Sequence, residues 1–395
     1  MNTVATSRNN GFTLIFILAI ASTLAPLSID FFAPSMPHAT RDLATSASAI
    51  QSTLYIFFIG YAVSPFLWGG LADKFGRRRV MLAGITCYCL ASLGCFLAPG
   101  IFELSVFRLL QGVGAASGVV IARAVLRDIH GPTGTTKAIS GMFLIMVWIP
   151  ILSPVLGGYL ATDYGWRASF FVMALIAGLS LLGIYFWLTE TLPEKITILS
   201  RRQSKWSEIL INPAFVGNAL ANMFCIGTML LFISNYSFLS EQYFQLSAAQ
   251  NGYVLAAFNT GISVGVYLVR FLAPKLGVKK TISLGLWVAL AGWASLWGLC
   301  LGTVPEPSIM LAPILLACLG TGMVLSLSVG EALVPFAYVA GAASALFVFV
   351  QSAGSSLISF FVGMVFDNSL GVVTTALVLC SLLAMASMKF IQPKT

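Results

Sequence analysis

Twelve long apolar stretches, separated by short polar segments, dominate this sequence and constrain its fold more than any other feature. An α-helix needs about 20 consecutive apolar residues to cross the hydrocarbon core of a bilayer. The stretches approach that length, so they predict an all-α polytopic membrane protein with 12 transmembrane helices. With ends uncertain by about 2–4 residues, the predicted helices cover 12–35, 48–71, 79–98, 101–126, 137–161, 167–189, 213–238, 249–273, 279–301, 308–331, 338–365 and 370–391.

Charged residues are too scarce for a soluble protein of this size. They make up 9% of the chain, against 58% hydrophobic residues, whereas soluble domains carry about 25% charged residues. We therefore expect membrane lipid to be the solvent. The formal net charge of +8 does not indicate nucleic acid as a partner, because the basic residues fall in short clusters between apolar stretches. The first apolar stretch is too long for a signal peptide and has no small-residue cleavage site after it, so we interpret it as the first transmembrane helix.

The residues that usually carry enzyme or metal chemistry form no recognisable set. All seven cysteines lie within apolar stretches, which is typical of small packing residues. His38 and His130 lie in predicted loops and suggest no metal site. There is no Ser/His/Asp set and no phosphate-binding glycine loop beside a strand. We predict a protein that is not an enzyme, does not hydrolyse ATP and carries no metal or cofactor.

The distribution of Lys and Arg predicts the orientation in the membrane. With twelve helices both termini share one side, and that side holds nearly all the basic loop residues, whereas the other holds only Arg41 and Arg167. The positive-inside rule places the basic side, and both termini, in the cytoplasm. The longest polar insert separates two halves, so we predict an N-terminal six-helix bundle (1–189), a cytoplasmic linker (190–212) and a C-terminal six-helix bundle (213–395). The basic side carries Arg8, Lys74, Arg77, Arg78, Arg79, Arg127, Lys137, Lys195, Arg201, Arg202, Lys205, Lys275, Lys279, Lys280, Lys389 and Lys394.

The two halves share a loop pattern. When Gly76 is aligned with Gly277, Lys74 aligns with Lys275 and basic residues follow in both copies. A basic loop by itself needs no explanation beyond topology, but the matched order favours a duplicated, pseudo-symmetric unit. The second copy has Pro274 in place of Asp73.

Two charges are predicted to lie inside the membrane. Asp30 lies near the end of the first stretch and Arg108 lies within the fourth, each about 10 Å from the same surface at 1.5 Å per residue. A charge at that depth costs roughly 3 kcal/mol or more, and such residues usually face a cavity with a partner. Pairing would offset part of this cost, and Gln111 shares a helix face with Arg108. The alternatives are that Asp30 caps a helix just outside the bilayer and that Arg108 extends to the surface.

Several segments resemble the major facilitator superfamily. Residues 69–79, GGLADKFGRRR, resemble its loop motif G-x-x-x-D-[RK]-x-G-R-[RK]-x, and residues 108–112, RLLQG, resemble its R-x-x-Q-G motif. Residues 150–158 are similar to the drug:proton antiporter motif G-x-x-x-G-P-x-x-G-G, but Ser153 replaces the glycine before Pro154. Further segments resemble the bicyclomycin/chloramphenicol resistance (Bcr/CflA) exporters, namely those around Asp30, at 122–128, at Trp166-Arg167, at 190–192 and at 340–346.

The resemblance implies the major facilitator fold and a set of residues that control its conformation. In the superfamily the loop motif holds the outward-facing state closed on the cytoplasmic side. Asp73 beside Arg77 suits such a latch, because a carboxylate next to a guanidinium can hold neighbouring helices together. In the fifth helix, glycines permit close packing and prolines bend the backbone, and we expect this helix to contact the eighth at Gly261 and Gly265. The predicted gating residues are Gly69, Asp73, Gly76, Arg77, Arg127, Asp128, Pro150, Pro154, Gly157 and Gly158.

These observations predict a proton-coupled exporter of small amphipathic compounds, acting as a monomer in a bacterial inner membrane and powered by the proton gradient. A proton at Asp30 would compete with substrate, with Arg108 and Gln111 assisting, while the halves alternate in access. Glu331 is a candidate second acidic site. Three alternatives remain: a dedicated exporter of a metabolite or siderophore, a proton-coupled importer, and a non-transporting sensor, for which we would expect an added soluble domain. The candidate substrate cavity consists of Tyr55, Phe58, Tyr61, Asn235, Tyr236, Phe347 and Gln351.

Overall fold

The computed structural model describes residues 11–192, 206–302, 304–365 and 369–391, and within these residues the secondary structure is helical with no strand. Eleven helices are long and apolar enough to cross a membrane, and a bent pair at the beginning makes a twelfth span. The all-α fold with twelve spans, predicted from the apolar stretches, is thus confirmed. We number the spans in chain order: Phe12–Ser22 with Leu24–Asp42, Ala47–Phe75, Arg77–Leu97, Ile101–Gly131, Ala138–Tyr164, Arg167–Trp187, Pro213–Phe244, Ala248–Leu276, Val278–Cys300, Pro307–Phe336, Gly341–Val365 and Leu370–Phe390.

Several helices continue beyond the apolar stretches that predicted them. The second span runs to Phe75 instead of 71, and the fourth runs to Gly131 instead of 126. Hydropathy marks the thickness of the bilayer, whereas a helix ends where the backbone turns. These two helices end at Gly76 (φ 98°) and Gly131 (φ 64°), conformations that glycine adopts without a steric penalty. As a result, Asp73 and Asp128 lie on the last turns of helices and not in loops.

The first span is not one straight helix. It breaks at Thr23 with a bend of 44°, continues as Leu24–Asp30, and then passes through a 3₁₀ turn into Met36–Asp42. Pro26 has no N–H to give to the carbonyl of Ser22, which accounts for a break at this point. The middle piece ends at Asp30, so the buried carboxylate lies at a helix end.

The chain forms two compact units, Met1–Arg201 and Arg202–Thr395. The bundle and linker boundaries predicted above stay a prediction, because residues 193–205 of the linker lie outside the described residues. So do Arg8, Lys394 and the side chain of Lys137.

The first unit is organised around the fourth span. A Cβ on Gly112 would lie 2.0 Å from the carbonyl oxygen of Phe57 in the second span, and one on Gly118 would lie 2.0 Å from the carbonyl oxygen of Ala21 in the first. Such contacts exclude any side chain and let the backbones pack directly. The glycine of the RLLQG motif is therefore required by the packing of the fourth span on the second.

The tenth span has the same role in the second unit. A Cβ on Gly320 would lie 2.3 Å from the backbone nitrogen of Ala289 in the ninth span, and one on Gly265 would lie 2.1 Å from the carbonyl oxygen of Leu319. Gly261 also approaches the tenth span, at Cys318. Gly157 of the fifth span likewise packs against the backbone of Phe31 in the first span. Gly157, Gly261 and Gly265, which we expected to join the fifth span to the eighth, therefore each make close contacts within their own unit.

Candidate functional site

Asp30 is buried within the first unit, with 5% of its surface exposed. The hydroxyl of Ser153 on the fifth span donates a hydrogen bond of 3.2 Å to its Oδ2. Ser153 is the residue that departs from the glycine-rich antiporter motif, so this departure supplies a donor to the buried carboxylate. The fifth span approaches closely here because Gly157, one turn further on, packs against the backbone of Phe31.

Arg108 is completely buried in the same unit. Its Nη1 donates to the carbonyl oxygen of Ser28 at 3.0 Å and to Oε1 of Gln111 at 2.7 Å. The helical spacing of three residues that predicted assistance from Gln111 is therefore realised as a hydrogen bond. The Nε and Nη2 atoms of Arg108 have no hydrogen-bond partner among the described residues.

Three aromatic rings surround the Arg108 guanidinium. Its central carbon lies 5.2 Å from the ring centre of Phe32, 4.9 Å from that of Phe57 and 5.6 Å from that of Phe170. Each ring presents its electron-rich face to the cation, and a desolvated contact of this kind contributes about 2 kcal/mol. The aromatic cage thus offsets part of the cost of burying the charge.

A chain of polar side chains connects this arginine to the third span. Nε2 of Gln111 donates to Ser92 Oγ at 2.8 Å, and the hydroxyls of Ser28 and Tyr88 lie 2.7 Å apart. Tyr88 also donates to the carbonyl oxygen of Leu24 at 3.1 Å. Neutral hydrogen-bonding groups therefore fix the broken first span against the third and fourth.

The structure brings the two predicted charges into one region of the bundle. Arg108 binds the backbone at Ser28, two residues before Asp30, while the Asp30 carboxylate meets Ser153. A direct pairing of the two charges stays a prediction. Sequence reasoning missed Phe57, Phe170 and Tyr88, because each lies on a different span and no spacing along the chain links it to Arg108.

A second charged cluster lies at the opposite ends of these spans. Nη1 of Arg77 lies 2.5 Å from Asp73 Oδ1, and its Nε lies 3.0 Å from Asp128 Oδ2. The Arg77 side chain is 6% exposed and that of Asp128 is 8% exposed, whereas Asp73 is 62% exposed. Arg77 therefore joins the ends of the second and fourth spans through Asp73 and Asp128, whereas Arg127 is exposed. The role of this cluster as a latch stays a prediction.

The remaining predicted gating residues have simpler surroundings. Pro150 lies in the first turn of the helix Ile149–Tyr164 and Pro154 lies inside it. Gly158 is buried, and a Cβ added at Gly69 would meet nothing within 4 Å. The role of these residues in gating stays a prediction.

Four of the seven residues predicted to line a substrate cavity are buried side chains: Tyr55, Asn235, Tyr236 and Phe347. Asn235 donates to the carbonyl oxygen of Leu231 in its own helix, and Tyr236 stacks on Phe232 with ring centres 4.8 Å apart. These contacts give Asn235 and Tyr236 a role in packing. Contact between substrate and any of the seven residues stays a prediction. Phe58, Tyr61, Gln351 and the candidate acid Glu331 are partly exposed.

A family model described as Major Facilitator Superfamily matches residues 18–359. The chain belongs to the major facilitator superfamily. Two curated relatives match along most of their length. The uncharacterized MFS-type transporter YdgK of Bacillus subtilis (strain 168) is 28% identical over 89% of this chain and 88% of that protein. The multidrug resistance protein MdtL of Escherichia coli O81 (strain ED1a) is 27% identical over 94% of this chain and 93% of that protein.

Solved structures of facilitator proteins share the fold at low sequence identity. A D-xylose-proton symporter superposes with a TM-score of 0.77 at 15% identity, covering 94% of this chain and 97% of that one. A peptide transporter, POT, bound to alafosfalin superposes with a TM-score of 0.78 at 14% identity, covering 98% of each chain. Membership of the superfamily, together with the transporter relatives, makes this chain a membrane transporter and not an enzyme. No group of three His, Cys, Asp or Glu side chains in the described part of the chain could hold a metal ion.

Proposed function

We propose that this protein exports small amphipathic compounds in exchange for protons, with Asp30 as the proton site and Arg108 as its coupling partner. The observation that carries the proposal is a buried carboxylate at a break in the first span, in the same bundle as a buried guanidinium. Ser153 donates a hydrogen bond to this carboxylate. We propose that the carboxylate binds a proton in one state of the transport cycle and releases it in another.

The relatives support the export of small molecules. MdtL, which matches nearly the whole chain, is named a multidrug resistance protein. We propose that the protein acts as a monomer in the bacterial inner membrane, with both termini in the cytoplasm. The proton gradient supplies the energy for transport. Alternating access between two pseudo-symmetric units supplies the transport cycle.

The test is drug-driven proton release from purified protein in detergent at mildly alkaline pH. Lipophilic cations and phenicols are added to the wild type, to Asp30→Asn and to Asp163→Asn. Asp163 is a matched control, because it is an exposed carboxylate at the end of the fifth span. We expect the wild type and Asp163→Asn to release protons and Asp30→Asn to release none.

Two outcomes would contradict the proposal. Equal release from the wild type and Asp30→Asn would exclude Asp30 as the coupling site and make Glu331 the next acid to test. A wild type that binds a compound from the panel without releasing protons would exclude direct competition between substrate and proton.

A further inference from the structure

The carboxylate of Glu190 lies against the beginning of the third span, although the residue itself follows the sixth. Its Oε1 accepts the backbone N–H of Arg77 at 2.7 Å, and its Oε2 accepts that of Arg78 at 3.2 Å. Oε1 also accepts the N–H groups of Thr191 and Leu192 at 3.0 Å each. One carboxylate therefore joins the end of the sixth span to the first turn of the third.

These contacts satisfy groups that a helix cannot satisfy by itself. The first N–H groups of an α-helix have no acceptor within the helix. A carboxylate near them supplies acceptors and interacts favourably with the positive end of the helix dipole. Glu190 thus caps the third span from a distant part of the chain.

Arg77 is the residue on which these contacts converge. Glu190 binds its backbone, while Asp73 and Asp128 bind its side chain. Arg78 adds a second link to the sixth span, because its Nη2 donates to the carbonyl oxygen of Tyr185 at 2.7 Å. The ends of the second, fourth and sixth spans therefore meet at the first residues of the third span.

The duplicated loop in the second unit provides an internal comparison. Gly76 and Gly277 both have a positive φ, 98° and 83°. A Cβ on Gly76 would lie 2.4 Å from Glu190 Oε2, whereas a Cβ on Gly277 would meet nothing within 4 Å. Gly277, which precedes the ninth span, has no side chain that could cap it. Among the described residues, no side chain accepts a backbone N–H from the first turn of this span. Glu190 therefore places a constraint on the first copy of the loop that the second copy lacks.

We propose that Glu190 is a positioning residue of the Arg77 network, and that transport requires this cap to hold Arg77 between Asp73 and Asp128. Glu190 is also the first residue of the predicted linker. The cap consequently fastens the beginning of the linker to the third span. The part of the proposal that concerns transport rests on the proposed export function, whereas the cap itself does not.

Hydrogen exchange of the purified protein without substrate tests the cap directly. In the wild type we expect the amides of Arg77 and Arg78 to exchange at least tenfold more slowly than those of Val278 and Lys279, the equivalent positions of the uncapped ninth span. In Glu190→Ala the amides of Arg77 and Arg78 should exchange about as fast as those of Val278 and Lys279. In Glu190→Gln, which keeps an acceptor oxygen, their exchange rates should lie between those of the wild type and Glu190→Ala. Glu208→Ala is the control, because it removes one exposed carboxylate from the same predicted side of the membrane. Equal rates for both pairs in the wild type would overturn the cap.

The two glycines separate the collision with Glu190 from backbone strain. A Cβ on Gly277 meets no neighbouring atom, so Gly277→Ala measures how much stability is lost by placing alanine at a positive φ. Gly76→Ala adds the collision with Glu190 and should therefore lower the unfolding midpoint by a larger amount. In a Glu190→Ala background, Gly76→Ala should cost only as much as Gly277→Ala. If Gly76→Ala costs the same with and without Glu190, the carboxylate does not occupy the position described.

Transport kinetics then distinguish a positioning role from a purely structural one. We expect Glu190→Ala to lower the maximal rate of export severalfold, with Glu190→Gln intermediate and the KM for the exported compound unchanged. An unchanged maximal rate in a variant whose Arg77 and Arg78 amides have lost protection would overturn the positioning role. Exchange is measured without substrate, so it decides the cap even if the proposed export function fails.

Discussion

At Arg108 the protein stabilises a buried cation with aromatic faces and neutral acceptors. Guanidinium is planar and weakly hydrated, so it can stack on rings while donating hydrogen bonds at its edge. Phe32, Phe57 and Phe170 provide the faces, and Ser28 and Gln111 provide the acceptors. Lysine would keep the charge but lose the planar donor edge, so the site is specific for arginine.

Ser153 offers a test of the same region with a smaller perturbation than removal of Asp30. Ser153→Ala removes the hydrogen bond to Asp30. We expect the amount of proton released at a given drug concentration to differ from that of the wild type, measured as for Asp30→Asn, because the proposed proton site has lost its hydrogen-bond donor. Ser180→Ala is the control, because the Ser180 hydroxyl donates to the carbonyl oxygen of Ile176 in its own helix. Equal release from both variants would show that Ser153 does not influence the proton site.

At the scale of helices, close backbone contacts define the packing of each unit. The second span approaches the fourth at Gly60 and Gly112, where an added Cβ would lie 2.3 and 2.0 Å from a carbonyl oxygen of the partner helix. Lipid tails are as apolar as the side chains, so burial alone cannot drive such association in a membrane. Tight packing of small residues supplies it instead.

Gly112→Ala tests this packing. The added methyl group would collide with the Phe57 carbonyl, and overpacking of this kind costs about 1–3 kcal/mol. Unfolding in detergent should therefore occur at a lower temperature or denaturant concentration. Gly178→Ala is the matched control, because a Cβ at this position would meet nothing within 4 Å. Alanine is a better helix former than glycine, so this variant should be more stable than the wild type by up to about 1 kcal/mol. Similar midpoints for the two variants would contradict the packing argument.

At the scale of the whole molecule, the ion networks differ between the two units. The loop of the first unit has Asp73, Arg77 and Glu190 around Gly76, whereas the second has Pro274 where the first has its acid. Opposite charges fasten the first loop to its neighbours, and no ion pair occurs at the second among the described residues. The glycine turn is therefore present in both loops, whereas the charged contacts of the described residues are found at the first.

Membrane topology is testable without knowledge of the substrate. Fusion of a fluorescent protein to the C-terminus should give fluorescence, and fusion of alkaline phosphatase there should give an inactive enzyme, because both reporters depend on the side of the membrane. A phosphatase fused in the turn after the first span, near Ala44, should be active. The opposite pattern would contradict the orientation predicted from Lys and Arg.

The sequence by itself determined the number of spans, their approximate bounds and the duplicated loop. Apolar length and the scarcity of charge leave few alternatives, since a spanning segment must satisfy its backbone hydrogen bonds internally. Asp30 and Arg108 were recognisable for a related reason: a charge inside a membrane is costly and rarely without a role. Asp73, Arg77 and Gln111 were recognisable because they lie in segments that resemble motifs of the superfamily.

The tertiary structure decided which side chains meet. The cage of Phe32, Phe57 and Phe170, the bond from Ser153 to Asp30 and the cap that Glu190 places on the third span each join residues far apart in the chain. Aromatic, serine and glutamate residues are common in such helices and at their ends. Their positions along the chain do not show which of them face a charge, because that depends on how the spans rotate and pack against one another.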